Sequence, residues 1–163
     1  MGLGARGGLG DRVLVRKGKK RTFYAVEVPS PPTSPAVIGW AAGFADGESS
    51  LTFRGGTPLV RIANCHLPTL LMLCDWFGGS VCNKDVGPRC RPAFEWCVSG
   101  DRARACLELL LPHLLEKREQ AEAILGEPKR GRGQAMSDED RRRREDLTRR
   151  LARMKRPVFH PPT

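Results

Sequence analysis

A helix with glycine at every fourth position, ending on two acids, limits what the rest of a chain can pack against it. Such a stretch is Trp40-Ala-Ala-Gly-Phe-Ala-Asp-Gly-Glu-Ser-Ser50, preceded by Gly39. Each of Gly39, Gly43 and Gly47 costs about 1 kcal/mol of helix propensity relative to alanine. Together with Ala42 and Asp46 they recur at i+3 and i+4 spacing, so they neighbour one another on the helix surface. A surface that small lets a second backbone approach closely. The spacing predicts a helix over about 36–47 with a face built for close contact and an end that presents Asp46 and Glu48. The bland alternative is a core helix whose glycines serve tight packing and whose acids meet solvent.

The residues after this helix carry clear start and stop signals. Strands are expected at Ser50–Phe53 and Leu59–Ala63 around Gly55-Gly56, a strong hairpin signal. The run Leu67–Phe77 has apolar residues at helical spacing, with Pro68 suited to the first turn and Gly78-Gly79 to stop it. Two more strands, about 80–84 and 93–99, flank a loop. Helices then occupy about 101–111 and 114–125, broken near Pro112. The order α-β-β-α-β-β-α-α implies an α+β fold, a four-stranded antiparallel sheet with its helices on one face. That body occupies 36–127. Before it, the Gly/Pro-rich segment 1–34 reads as a flexible basic arm, although Arg21–Val28 has strand character. After it come a linker, 128–136, and a basic helix, 137–156, with Ser137 and Asp140 as a capping box. Leu147, Leu151 and Met154 leave that helix little to bury, so it is expected to stand as a solvated appendage or to order on a ligand.

The net charge of +10 is unevenly spread. Segment 1–34 holds 7 Lys/Arg against 2 Asp/Glu and segment 128–163 holds 12 against 5, whereas 35–127 holds 9 against 11. Two basic ends on a near-neutral body favour a polyanionic partner, nucleic acid ahead of a membrane surface. No apolar run approaches the ~18 residues of a membrane span. The 6 cysteines contain no Cys-x-x-Cys pair and no signal peptide precedes them, so they are expected as reduced, mostly buried thiols of an intracellular protein. A zinc site at Cys82, Cys90 and Cys97 is a weak third reading. Gly2-x-Gly4-x-x-Gly7 matches a dinucleotide fingerprint by letter, with no helix pattern after it to give it meaning.

The residues Ala41-Ala-Gly-Phe-Ala-Asp-Gly-Glu-Ser49, leading into the αββαββα order, resemble the LAGLIDADG homing endonucleases of the single-motif type. Ala42, Gly43 and Asp46 are identical to the motif, and Phe44, Gly47 and Glu48 are common variants at their positions. Ala41 and Ser49 depart from it. The resemblance covers about residues 38–125. It implies a homodimer, because only one motif copy is present, with Gly39, Ala42, Gly43, Asp46 and Gly47 at the seam. It implies double-stranded DNA as partner, cut at a long, near-palindromic site. Glu48 takes the metal-ligand position, with the Gly47 carbonyl as a further ligand and Mg²⁺ (or Mn²⁺) as cofactor.

Asp46 is then structural. Asn64 aligns approximately with a residue that positions active-site water, and the family's basic catalytic position falls near the acidic Asp101, which leaves the adjacent Arg102, and His66, as candidates for that role. The open sheet face would carry the DNA contacts, at Thr52, Arg54, Arg61, Lys84, Arg89 and Arg91. With strands of about five residues, the first hairpin reaches about half a DNA turn, so base contacts per subunit are few. A catalytically inactive nucleic-acid-binding module of this fold, an RNA maturase or a DNA-binding regulator, is the alternative. The resemblance places such a protein in the cytoplasm or nucleoid of a bacterium or phage-infected host rather than an organelle.

Overall fold

The structure, a computed structural model, describes residues 13–17, 22–84, 91–129 and 135–155. In chain order the elements are β1 (Val13–Lys17), β2 (Thr22–Val26), α1 (Pro35–Glu48), β3 (Ser49–Arg54), β4 (Thr57–Asn64), α2 (Leu67–Phe77), β5 (Ser80–Lys84), β6 (Ala93–Ser99), α3 (Gly100–Leu110), a 3-10 turn (Leu111–His113), α4 (Arg118–Leu125) and α5 (Asp138–Met154). Pro35 opens α1 and Pro68 lies in the first turn of α2, where a missing N–H costs nothing. Gly55 and Gly56, at φ 57° and 80°, make the turn between β3 and β4 that side chains with a Cβ rarely adopt.

The strands form one antiparallel sheet in the order β1-β2-β5-β6-β4-β3. Six strands, not four, is a correction to the sequence reading. The added pair comes from the segment expected to be a flexible arm, where β2 pairs with β5, Tyr24 opposite Val81. Glycines, lysines and prolines around it argued for an arm. Pairing with an available edge outweighed that composition, because strand formation depends more on context than on local preference. The remainder of that expectation, at 1–12 and 18–21, lies outside the described residues.

Alternation across the pleat gives the sheet two faces. Leu51, Phe53, Val60, Ile62, Val81, Trp96 and Val98 are buried on one. The helices cover that face with Ala42 and Ala45 from α1, Leu70 and Phe77 from α2, Leu107 and Leu110 from α3, and Ile124 from α4. The largest of these side chains, Trp96, also has a polar atom to satisfy, and its Nε1 donates to the Gly78 carbonyl at 2.9 Å. Gly79 must stay bare, since a Cβ there would strike the Cys97 carbonyl of the neighbouring strand. The opposite face, which carries Ser50, Arg54, Arg61, Glu95 and Cys97, has none of these helices over it.

The five cysteines among the described residues, 65, 74, 82, 97 and 106, are free thiols, and three of them are buried. Burial pushes the Cys74 thiol up to about 11 and raises that of Cys106 further. They behave as small apolar core residues. Cys90 lies outside the described residues.

α5 is neither an appendage nor dependent on a ligand for its place. It lies along β3, an edge strand of the sheet. Leu147 and Leu151 are buried in the main core. Thr148 Oγ1 sits 3.0 Å from the Phe53 carbonyl oxygen. That carbonyl faces away from β4, and because β3 is an edge strand no neighbouring strand offers it a ladder donor. A charged lock completes the docking. Glu127, only 5% exposed, accepts from Arg144 Nε and Arg143 Nε, both at 3.1 Å. Arg104, also buried, donates to the Leu125 and Glu127 carbonyls at 3.2 and 2.5 Å, capping the end of α4. Covering an edge strand removes a site of unwanted pairing. The expected N-cap is present as well, with the Asp140 N–H donating to Ser137 Oγ at 3.0 Å.

Candidate active site and nucleic-acid face

α1 divides its small residues between two surroundings. Ala42 is fully buried in the chain's own core. Gly43 and Gly47 are exposed and Gly39 is half-exposed. A Cβ added at any of the three glycines would meet nothing within 4 Å. No packing among the described residues therefore requires them. The single small face expected from the sequence is really two, separated by the helix's own rotation. Trp40, 45% exposed, lies on the open side and stacks on Phe44 with ring centroids 5.4 Å apart. Leu115, 83% exposed, comes just after the 3-10 turn.

The two acids separate in the same way. Asp46 is buried and its carboxylate is consumed within the chain. Oδ2 accepts from the Leu115 N–H at 2.6 Å and Oδ1 from the Lys117 N–H at 3.0 Å. It thus fixes the short turn that starts α4. Among the seam residues expected from the sequence, Ala42 and Asp46 point into the fold, and only the three glycines remain on the open side. Glu48, the last residue of α1, is exposed, and its carboxylate takes part in none of the hydrogen bonds or ion pairs formed among the described residues.

Three cations gather at this end of α1. The Lys117 ammonium donates to the Asp46 carbonyl oxygen, a favourable place for positive charge at a helix C-terminus. Lys155, just past α5, donates from Nζ to Ser50 Oγ at 3.0 Å. Burial lowers the Lys155 amine, and the nearby charges of Lys117 and Arg61 lower it further. Arg61 stands opposite Ser50 in the β3–β4 ladder. Lys117 and Lys155 carried no sequence signal. Lys117 is brought to Asp46 across 71 positions and Lys155 to Ser50 across 105.

The other expected site residues fare unevenly. Asn64 Oδ1 accepts from the His66 N–H at 2.8 Å, and His66 Nδ1 lies 2.7 Å from Thr69 Oγ1, so both organise the entry to α2. Arg102 is not gathered with Glu48. Its Nη2 donates to the Glu27 carbonyl at 3.2 Å and its guanidinium packs against Gly78. Arg54, Lys84 and Arg91 are exposed and Arg61 is half-buried. Thr52 is less available than expected, with its hydroxyl oxygen enclosed and without a partner. Arg89 lies outside the described residues.

No cluster of three or more His, Cys, Asp or Glu side chains able to hold a metal ion occurs among the described residues. One chain offers the exposed Glu48 carboxylate and the carbonyls ending α1. These are hard oxygen donors of the kind Mg²⁺ takes. The donor chemistry therefore fits such an ion, which would need further oxygen ligands beyond these. Among the described residues, no helix is long and apolar enough to cross a membrane.

No family model matches the chain, and no curated protein sequence does. Solved structures do. The homing endonuclease I-CvuI bound to the I-CreI target in magnesium, with DNA not cleaved, superposes with a TM-score of 0.57 at 20% identity, covering 77% of this chain and 86% of that one. The same enzyme with its own target in calcium gives 0.59 at 21% identity, covering 76% and 87%. The α+β fold is that of the LAGLIDADG homing endonucleases.

Proposed function

We propose that this chain is a metal-dependent DNA endonuclease that works as a homodimer, each subunit supplying one Glu48 to a shared site. The observation that carries the reading is the end of α1. A stripe of the half-exposed Gly39 and the exposed Gly43 and Gly47 has no occupant among the described residues, and it runs directly into an exposed carboxylate that none of them engages. Two such helices packed stripe to stripe about a two-fold axis bring two Glu48 carboxylates together. The solved complexes of the same fold with DNA targets in magnesium and calcium support the same substrate and the same class of ion.

Glu48 and the Gly47 carbonyl would hold Mg²⁺, an ion that would activate water at neutral pH and offset charge on the leaving oxygen. The chain's own residues do the rest. Lys117, Lys155 and Arg61 form a cationic rim beside Glu48 that binds and orients the phosphate. Asp46 keeps Lys117 in place by holding the turn on which it sits. The open sheet face enters the major groove, with Arg54, Arg61, Lys84 and Arg91 toward the DNA. The duplex reaches Glu48 because the open face and the end of α1 meet at Ser49 and Ser50.

The test is cleavage of a random-site plasmid library by the purified chain in Mg²⁺. Linear product from a subset of near-palindromic sites is expected. A chain that binds these plasmids but leaves them intact with every divalent ion would instead be a binding module of this fold.

Two substitutions probe the parts. Gly43→Leu adds a side chain where the monomer has room, so it should stabilise the isolated chain by about 0.8 kcal/mol. It should also convert a dimer to a monomer in sedimentation. A stable Gly43→Leu dimer would remove the seam from this face. Lys155→Met removes a cation whose protonated form the fold disfavours. Because the folded state lowers the Lys155 amine, its charge is a penalty at neutral pH that is relieved as pH rises through the folded value. The melting temperature at pH 7 should therefore not fall. The log–log salt slope of DNA binding should drop by about 1 if Lys155 meets a phosphate, and an unchanged slope would remove Lys155 from the contact.

A further inference from the structure

The open face is basic at Arg54, Arg61 and Lys84, but among the described residues it carries one acid at its centre, Glu95 on β6. Register puts it there. Arg61 stands opposite Cys97, and Glu95 stands opposite Ala63 on one side and Cys82 on the other. Directly opposed residues in an antiparallel pair share a face, and residues two apart on a strand do too. Arg61, Cys97, Glu95 and Cys82 are thus one surface. Their electrostatics agree. Burial raises the Cys97 thiol, Arg61 opposes this, and Glu95 and Cys82 add to it. Glu95 is half-buried between two small side chains, so it rises from a shallow floor that a base edge can approach. It forms no ion pair with Arg61 or any other cation among the described residues, and none of their hydrogen bonds engages its carboxylate.

An acid is a poor choice for a surface that only tracks phosphates. In the major groove it has a specific use, because a carboxylate can only accept and cytosine N4 is an amino donor there. Arg61 has the complementary chemistry, five donors that match guanine O6 and N7. The two lie diagonally across adjacent strands, positions typically about 7–8 Å apart, which spans about two base steps at ~3.4 Å each.

We propose that Glu95 is a specificity-determining residue that selects a cytosine at one position of each half-site, within about two steps of a guanine read by Arg61. The proposal rests on the open face being the DNA-binding face.

The experiment is selection of bound duplexes from a randomised pool by the full chain, repeated with Glu95→Gln and Glu95→Ala, each checked for an unchanged melting temperature. The wild-type chain should enrich cytosine at one position per half-site. Glu95→Gln should move that position toward adenine, whose N6 and N7 suit an amide, with about a tenfold loss of discrimination there and no change elsewhere. Glu95→Ala should relax that position alone. If both variants bind all sequences more tightly and keep the wild-type preferences, Glu95 only repels phosphate and the proposal is wrong. If the wild-type chain retains no DNA at all, the failure lies in the DNA-binding reading, and the assignment of Glu95 falls with it.

Discussion

Glu48→Gln is expected to lower single-turnover cleavage of plasmid DNA by about 10³-fold while DNA binding is retained. The amide matches the carboxylate in shape but cannot supply its charge, and in the proposed homodimer one substitution would remove both carboxylates of the proposed shared site. Metal-based charge stabilisation contributes several kcal/mol to such reactions, and each 1.36 kcal/mol is tenfold in rate. The substitution should leave the fold intact, because Glu48 is exposed and takes part in none of the hydrogen bonds formed among the described residues. Asp46, two residues earlier, would be misleading to mutate for this purpose, since it holds the Leu115 and Lys117 N–H groups. Full activity in Glu48→Gln, or cleavage unaffected by chelators, would overturn the assignment.

Glu127→Ala is expected to destabilise the chain by about 3–5 kcal/mol, the cost of breaking a buried ion pair by removing one partner. Glu127 and Arg144 are both buried, and without the carboxylate the Arg144 guanidinium is left enclosed and unpaired. Arg143 loses the same partner but stays partly solvated, so its share is small. This is a large part of a typical domain stability of about 5–15 kcal/mol. Urea unfolding would measure it, and early proteolysis between 128 and 155 would show that α5 detaches first. A loss below about 1 kcal/mol would mean that Leu147, Leu151 and Thr148 hold α5 by themselves. The same geometry cautions against reading phosphate contacts from the basic run Arg141–Arg144. Arg144 is structural, and reversing its charge would disturb the fold before it affected any DNA.

Much of the fold was legible in the residues because its signals are local. Pro35 and Pro68 start helices, Gly55-Gly56 and Gly78-Gly79 turn the chain, and Pro112 interrupts a helical run. The Leu67–Phe77 helix and the strands at 80–84 and 93–99 appear where periodicity put them. The β1–β2 hairpin was not legible in this way, because its strand character is ordinary and its glycine- and lysine-rich neighbours are typical of an arm. What decides it is the free edge of β5, which a single segment does not reveal. The docking of α5 was hidden for the same reason. Three apolar residues in a basic helix look too few to bury, until the edge of β3 and the carboxylate of Glu127 are in place to receive it.

The candidate site divides along the same line. From the sequence alone came the helix of small residues, the motif it resembles, and Glu48 at its end. These are properties of spacing along one element, where rotation per residue is constant. Only tertiary structure separated Ala42 and Asp46, which face inward, from Gly39, Gly43 and Gly47, which do not. It also engaged Arg102 with the Glu27 carbonyl and set Lys117 and Lys155 at the end of α1. A functional cation needs only to be near a phosphate, and many chain positions satisfy that equally well. Which of the 28 basic residues stand beside Glu48 is set by how helices and sheet pack, not by anything in their own neighbourhoods.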